Sequence, residues 1–449
     1  MGDLIVILDD LQNGVVERIK VQGLPPRRIP PRNTHYSAFN ASARDYYSQA
    51  FMERLMTIDD LGLSTIAAWG GEQQGHAYYA AQAPIVQSAP FAYPDVAQWR
   101  AVLEGREKGD IYSRNTNPTV AVFEEKARLL EGGEAAVAFA SGMAAISNTL
   151  FALLRPGDHV VSIKDAYGGT SRIFLELLGP LGITVTLVDS DDADALERAV
   201  RRGCRLVYAE TPTNPALKIV DLAKLAAAAK SVGAIFVVDN TFATPINQRP
   251  LRIGADLVVH SATKFLGGHD DAIGGALIGR RDLVTAIYRF REITGAALAP
   301  FSAYLLLRGM KTLDLRVQRQ NATALAIAAF LERDPRAARV FYPGLASHPS
   351  HYVAKSQMSG FGGVLSFEVV GGEPAAVRTL NALQLAHRGA SLGSVNTLAG
   401  LPGQTSHAEV TPEDRASLGI SEALIRYSCG IEDVADLMND LDRALGQAV

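Results

Sequence analysis

Between Glu134 and Gly279, short apolar, β-rich runs alternate with longer runs of helical spacing. The strand candidates are Ala135–Ala140, His159–Ile163, Thr184–Val188, Arg205–Ala209, Ile235–Asp239, Leu257–His260 and Ala276–Ile278, and helical stretches at Ala144–Leu154, Arg172–Leu178, Ala193–Arg201 and Leu222–Val232 separate them. Such alternation predicts an α/β architecture, a mostly parallel sheet with helices on both faces. Ligands in sheets of this kind gather beyond the carboxyl ends of the strands, where Asp239, His260 and the residues after them fall. After Gly279 the pattern turns helical, and one long amphipathic stretch from Ala303 to Leu331 is expected to bridge two domains. A second α/β unit follows, with strand candidates at Gly363–Val369 and Leu424–Cys429 and a final helix from Asp433 to Leu445. Thr411 and Pro412 supply an N-cap and a first helical residue. Residues 1–62 break the pattern: Leu24-Pro-Pro-Arg-Arg-Ile-Pro-Pro-Arg is linker-like, and the segment reads as an appended extension.

Composition narrows the function without naming it. The 449 residues are 48% apolar, ordinary for a globular protein, which excludes a disordered or fibrous chain. A net charge of −4 provides no basic stripe for nucleic acid, so any anion must be held by a few local groups. Cys204 and Cys429 sit in strand-like runs without metal spacing and read as buried thiols of a reducing compartment. The start, Met-Gly-Asp-Leu-Ile-Val-Ile-Leu-Asp-Asp, has acidic flanks in place of a basic n-region, and no run is long enough to span a bilayer. A cytoplasmic protein is expected, with neither a membrane nor a nucleic acid as partner and no metal.

The chemistry concentrates after two of the strands. Lys264 in His260-Ser-Ala-Thr-Lys264 follows an apolar strand, where burial and cationic neighbours lower an amine's pKa and suit it to a Schiff base. Asp239 ends the preceding strand and supplies the carboxylate that keeps the pyridinium nitrogen of pyridoxal phosphate (PLP) protonated. Ser141-Gly142-Met143 opens a helix directly after a strand, so the amides of Gly142 and Met143 can meet a phosphate, although small residues at such a turn equally suit tight packing. Ser261 and Thr263 fall on one side of the extended segment before Lys264, which fits a phosphate or a half-buried loop with capping hydroxyls. Tyr167, beside Gly168 and Gly169, has room to approach a flat ring.

The ordered motifs resemble one known family, the Cys/Met-metabolism PLP enzymes, which include cystathionine γ-synthase, cystathionine γ-lyase, methionine γ-lyase and the O-acylhomoserine sulfhydrylases. The likeness runs from about Ser64 to the C-terminus through Tyr112-Ser-Arg-Asn-Thr-Asn-Pro-Thr, Ala140-Ser-Gly-Met, Tyr167-Gly-Gly-Thr, Glu210-Thr-Pro-Thr-Asn-Pro, Val238-Asp-Asn-Thr-Phe-Ala-Thr-Pro, Ser261-Ala-Thr-Lys, Ser391-Leu-Gly and Leu424-Ile-Arg-Tyr-Ser-Cys-Gly-Ile-Glu-Asp. The resemblance implies fold type I, with a mostly parallel seven-stranded sheet and a smaller C-terminal α/β domain. The implied division is an extension at 1–62, an arm toward a neighbouring subunit at 63–110, a PLP-binding domain at 111–310 and a small domain at 311–449. It implies that Lys264 binds PLP covalently, Asp239 pairs with the ring nitrogen, Asn214 bonds the ring oxygen and Tyr167 stacks on the ring. Gly142, Met143, Ser261 and Thr263 would hold the phosphate, with Tyr112 and Arg114 entering from the neighbour in a homotetramer built of dimers. Arg426 would clamp the substrate carboxylate with a fork only arginine offers, and Thr397 and Asn396 would contact the substrate. Tyr112 or Tyr167 would shuttle protons.

The implied activity is γ-elimination or γ-replacement on a γ-substituted amino acid through a vinylglycine-type intermediate. The substrate is expected to be of homoserine or homocysteine type, the activity like that of cystathionine γ-lyase or γ-synthase; an O-acylhomoserine sulfhydrylase or methionine γ-lyase is the alternative, with an aminotransferase or a non-catalytic PLP-binding protein further behind. Two departures bear on substrate: Asn396 stands where the cystathionine enzymes usually carry a glutamate, and Gly169 where methionine γ-lyases typically carry a cysteine. A third, Asp270-Asp271 soon after Lys264, reads as a solvated pair.

Overall fold

The computed structural model describes residues 61–72, 76–405, 407 and 412–447, so residues 1–60 of the extension, and the proposed cap at Thr411, lie outside the described residues. Helices of eight or more residues are numbered here, and strands in full. Ahead of the large sheet lie α1 (Val96–Leu103) and α2 (Pro118–Glu131). Asn117 caps α2, accepting from the Thr119 and Val120 amides, Pro118 takes the first helical position, and Gly132 at φ +75° ends it.

The large sheet then forms from β1 (Ala135–Phe139), β2 (His159–Ile163), β3 (Thr184–Val188), β4 (Leu206–Glu210), β5 (Ile235–Asp239), β6 (Leu257–Ser261) and β7 (Gly275–Gly279). Its order is β1-β7-β6-β5-β4-β2-β3, with β7 antiparallel to both neighbours and the remaining pairs parallel. Helices α3 (Gly142–Leu153), α4 (Ala193–Arg201), α5 (Leu222–Val232) and α6 (Arg281–Thr294) flank it. Alternate residues of β1 enter opposite cores: Val137 and Phe139 pack with α3, and Ala138 packs with Val120, Phe123 and Leu130 of α2. That two-sided burial explains why the central strands read as unbroken apolar runs.

The single bridging helix expected over Ala303–Leu331 is two helices, α7 (Pro300–Met310) and α8 (Leu313–Leu331), broken at Lys311 and Thr312. Val317 of α8 packs into the core beneath the large sheet, whereas Ala324, Ile327, Ala328 and Leu331 enter the core of a second sheet. This second sheet has the order β10-β11-β12-β9-β8. Its strands are β8 (Ala337–Phe341), β9 (Val364–Val369), β10 (His387–Arg388), β11 (Leu398–Gly400) and β12 (Leu424–Ser428), and α9 (Gly372–Ala382) and α10 (Val434–Leu445) cover it. Both cysteines are free thiols; Cys429 is fully buried, but Cys204 is only partly so, a correction to the expectation of two buried thiols. No helix among the described residues is long and apolar enough to cross a membrane.

Candidate active site

A cavity of about 330 Å³ opens beyond the carboxyl ends of β4, β5 and β6, roofed by the loop between β10 and β11. Its lining brings together Gly142, Met143, Tyr167, Asn214, Asp239, Ser261, Thr263, Lys264 and Arg426, residues spread over almost 300 positions of sequence. Lys264 leaves the turn after β6, and its Nζ donates to Ser391 Oγ at 2.9 Å. Burial, then the nearby Arg426 charge, lowers this amine to about 8, with Asp270 pulling the other way. Thus Asp270 acts on the lysine electrostatically.

Two carboxyls meet under the cavity because Glu210 and Asp239 are register partners on β4 and β5. Asp239 Oδ1 accepts from the Thr241 amide at 3.0 Å, and Oδ2 from the Tyr208 hydroxyl at 3.3 Å. Glu210 Oε2 accepts from the Tyr167 amide at 2.8 Å. Burial, then the adjacent Asp239, pushes Glu210 well above the ordinary carboxylate range. Asp239 is raised by burial and eased back by the Thr241 bonds and the charge of His260. Like charges in one buried site oppose each other's ionisation, and the stronger upward push falls on Glu210.

Arg426 reaches in from β12, Nη1 donating to Asn214 Oδ1 at 2.8 Å and Nη2 to the Ser391 carbonyl at 2.9 Å. Burial lowers it to about 10, which leaves it charged at neutral pH. No carboxylate of the described residues pairs with it, so a buried guanidinium faces the cavity beside Lys264. On the opposite wall the head of α3 is pressed onto β6: a Cβ on Gly142 would lie 2.7 Å from Ser261 Cβ and 2.8 Å from its Cα. The first-turn amides of an α-helix lack intrahelical partners, so those of Gly142 and Met143 are presented beside the Ser261 and Thr263 hydroxyls.

Four expected site residues lie elsewhere. Tyr112 is 42% exposed and stacks under the Arg114 guanidinium at 5.1 Å, and neither lines the cavity of this chain. Asn396 turns its side chain toward His387, 3.4 Å away. Thr397 is fully buried, its hydroxyl donating to Glu432 Oε2 at 2.8 Å and accepting from the Gly430 amide at 2.9 Å, so no group of it is turned to a ligand. Conversely, Glu210, Thr241 and Ser391 stood in quoted motifs without a role, and Tyr208 stood in none.

The chain matches the Cys/Met metabolism PLP-dependent enzyme family over residues 64–446. It belongs to that family. It is 46% identical over 364 residues to an L-methionine gamma-lyase of Pseudomonas putida, covering 81% of this chain and 92% of that protein. A cystathionine gamma-lyase of Bacillus subtilis is 43% identical over 377 residues, covering 84% and 96%. Among solved structures, cystathionine gamma synthase from Xanthomonas oryzae pv. oryzae in complex with cystathionine superposes with a TM-score of 0.82 at 40% identity, covering 86% of this chain and 98% of that one. The fold is accordingly that of the PLP enzymes of this family, the cofactor is PLP, and the chemistry is γ-elimination or γ-replacement on a γ-substituted amino acid.

The residues present fit this cofactor. The cradle of Gly142, Met143, Ser261 and Thr263 is a donor set for a phosphate, the glycine being enforced by contact with Ser261. Asp239 is a carboxyl group at the cavity floor, and Lys264 an amine lowered to about 8. A Cβ on Gly169 would fall 2.8 Å from Met143 Sδ and 2.9 Å from Tyr167 Cε1, so glycine lets the Tyr167 ring lie against Met143 at the cavity mouth.

Proposed function

We propose that this enzyme acts on an L-amino acid of homoserine or homocysteine type whose γ-substituent carries no charge. The observation that supports this reading is the buried Arg426 beside Lys264, without a carboxylate partner among the described residues, in a cavity also lined by the apolar Ile146, Phe242, Ile273 and Leu392. Arg426 binds the α-carboxylate through its fork, and Asn214 and the Ser391 carbonyl fix the plane of that fork. Lys264 Nζ, once free, takes the proton from Cα, a task suited to an amine near 8. PLP, when bound, supplies the electron sink that makes this proton acidic. Asp239 would keep the ring nitrogen protonated, Asn214 would face the ring oxygen and Tyr167 would lie on the ring. Tyr167 or Tyr112 handles the proton of the departing γ-group.

In this reading Tyr112 and Arg114 complete the phosphate site of a second copy, so the active unit is a dimer and the assembly a homotetramer of two dimers. The exposed Val96, Trp99 and Leu103 on one stripe of α1 support such a cover, as does the exposed Tyr112. Residues 63–110 then serve as the arm, 111–310 as the cofactor domain and 311–449 as the small domain. Two unpaired cysteines accord with a cytoplasmic setting.

A panel of γ-substituted amino acids, with and without thiols, tests the proposal. O-acetyl homoserine and S-alkyl homocysteines should release 2-oxobutanoate and ammonia, or yield a thioether when thiol is present. A preference for cystathionine over both would refute the uncharged γ-pocket. Retention of every γ-substituent would refute the whole reading.

A further inference from the structure

Arg291 on α6 is 2% exposed and has no task in the proposed function. Its guanidinium divides between two segments of chain. Nη1 donates to the Ala138 carbonyl on β1 at 2.9 Å and meets Glu124 Oε1 at 3.4 Å, and that same oxygen accepts from the Ala138 amide at 2.8 Å. Because β1 lies at the edge of the sheet, Glu124 and Arg291 here stand in for a missing neighbour strand. Sealing the edge occupies one nitrogen only.

The other nitrogen, Nη2, donates to the Asn115 carbonyl at 2.6 Å and reaches the Arg114 carbonyl at 3.5 Å. The next residue, Glu292, accepts from the Asn115 side-chain amide and, at 2.8 Å, from the Tyr288 hydroxyl. One turn of α6 thus holds this segment by backbone and side chain together. The segment is itself closed: the amides of Asn115 and Thr116 donate to the Tyr112 carbonyl at 2.9 and 3.2 Å, and Arg114 stacks on the Tyr112 ring. Holding Asn115 therefore holds Tyr112 and Arg114 as well, while both of their side chains stay exposed and line no part of this chain's cavity. A planar fork is what allows one side chain to bridge two separate backbones in this way.

We propose that Arg291, supported by Glu292, is a positioning residue for the active site of a second copy of this chain. Its fork braces the turn at 112–116 against β1, so that Tyr112 and Arg114 offer a fixed shape to the phosphate bound by that second copy. The proposal rests on the reading that this turn completes the neighbour's phosphate site. It accounts for a buried guanidinium spent on backbone carbonyls of two segments, and for an exposed tyrosine–arginine pair whose backbone is nevertheless tied down.

The test is PLP affinity in mixed assemblies of cofactor-stripped full-length chains. Borohydride traps PLP on Lys264, and mass spectrometry counts the product, so only chains that keep Lys264 report. Arg291→Met alone should bind PLP roughly tenfold more weakly than wild type, the scale of one lost hydrogen bond to a charged group. When Arg291→Met chains pair with an excess of Lys264→Ala chains, the reporting site receives an intact turn and should regain wild-type affinity. When wild-type chains pair with an excess of chains carrying both Arg291→Met and Lys264→Ala, the reporting site should show the full defect. The reverse pattern, with the defect confined to the chain that lost Arg291, would assign the effect to β1 and overturn the proposal, as would unchanged affinity or equal weakening in both pairings. If Arg291→Met does not fold, Glu292→Ala, which releases Asn115 without touching β1, takes its place in the same pairings, and the same outcomes decide. Arg114→Ala separates the two readings: no defect in the neighbour's site refutes the shared site, whereas a defect there with none from Arg291→Met refutes only the brace.

Discussion

The lysine amine offers the most direct check on the electrostatics of the site. Burial is the leading reason Lys264 sits near 8, and the Arg426 guanidinium is the second. At neutral pH an amine at about 8 is unprotonated in about a tenth of molecules, against roughly 0.03% for one at 10.5, a ratio of about 300 in nucleophilic form. That ratio is what the fold gives the residue before any ligand enters. Competitive reductive methylation of the cofactor-stripped protein, followed by peptide mass spectrometry across pH, measures it at Lys264 with exposed lysines as internal standards. Labelling of Lys264, corrected for access, should show its inflection near 8. Arg426→Met should move the inflection upward, because a repelling cation has been removed while the burial remains. An inflection at the ordinary lysine value, or one that Arg426→Met leaves in place, would refute the reasoning.

Three further outcomes follow from particular contacts. Arg426→Lys keeps a charge but loses the fork held by Asn214 and Ser391, and should cost about 1.5–3 kcal/mol in kcat/KM, or roughly 10- to 100-fold, chiefly through KM. Gly142→Ala would force the head of α3 away from the Ser261 backbone, and PLP titration of the apoprotein should show affinity falling by about 1–3 kcal/mol while the fold persists. Glu72→Ala leaves the fully buried Lys126 without its 3.0 Å partner, and urea unfolding should show about 3 kcal/mol lost. Burial opposes the Glu72 carboxylate, but hydrogen bonds from Lys311 and Lys126 outweigh it and hold the group below 4.5, so its contribution is present above that value and should fade in an acid titration as pH falls below it.

What could be read in the sequence follows burial. Strands β2 and β5 were bounded residue for residue, because a parallel strand covered on both faces is written as one apolar run, whereas β3, an edge strand with Thr184 and Thr186 exposed, was legible through its β-branched Thr-Val-Thr-Leu-Val composition. Strand β8 was missed for the opposite reason: it is an edge strand with Ala338 and Arg339 exposed, and its composition resembles a loop. The break between α7 and α8 left no proline or glycine at Lys311-Thr312 to announce it. Site residues that lie next to a strand end or a helix start were legible as local motifs. The pairing of Glu210 with Asp239 was not, since a neighbour across strands is set by sheet order. Nor was the commitment of Thr397 to Glu432, which closes a loop over 35 positions.

One residue joins the two halves of the site. Ser391 accepts from Lys264 through its hydroxyl and from Arg426 through its carbonyl. It does so at φ +103°, a conformation that costs a non-glycine residue about 1–3 kcal/mol. An extended serine here would turn either its hydroxyl or its carbonyl away from the cavity, so the unusual dihedral is what lets one short loop serve two cations. Burial first, and the Arg426 charge second, lower the Lys264 amine to about 8. The loop between β10 and β11 therefore does more than roof the cavity: it spaces Lys264 and Arg426 at their acceptors. In the proposed function, the γ-substituent can then vary without disturbing the contacts that hold Lys264 and Arg426.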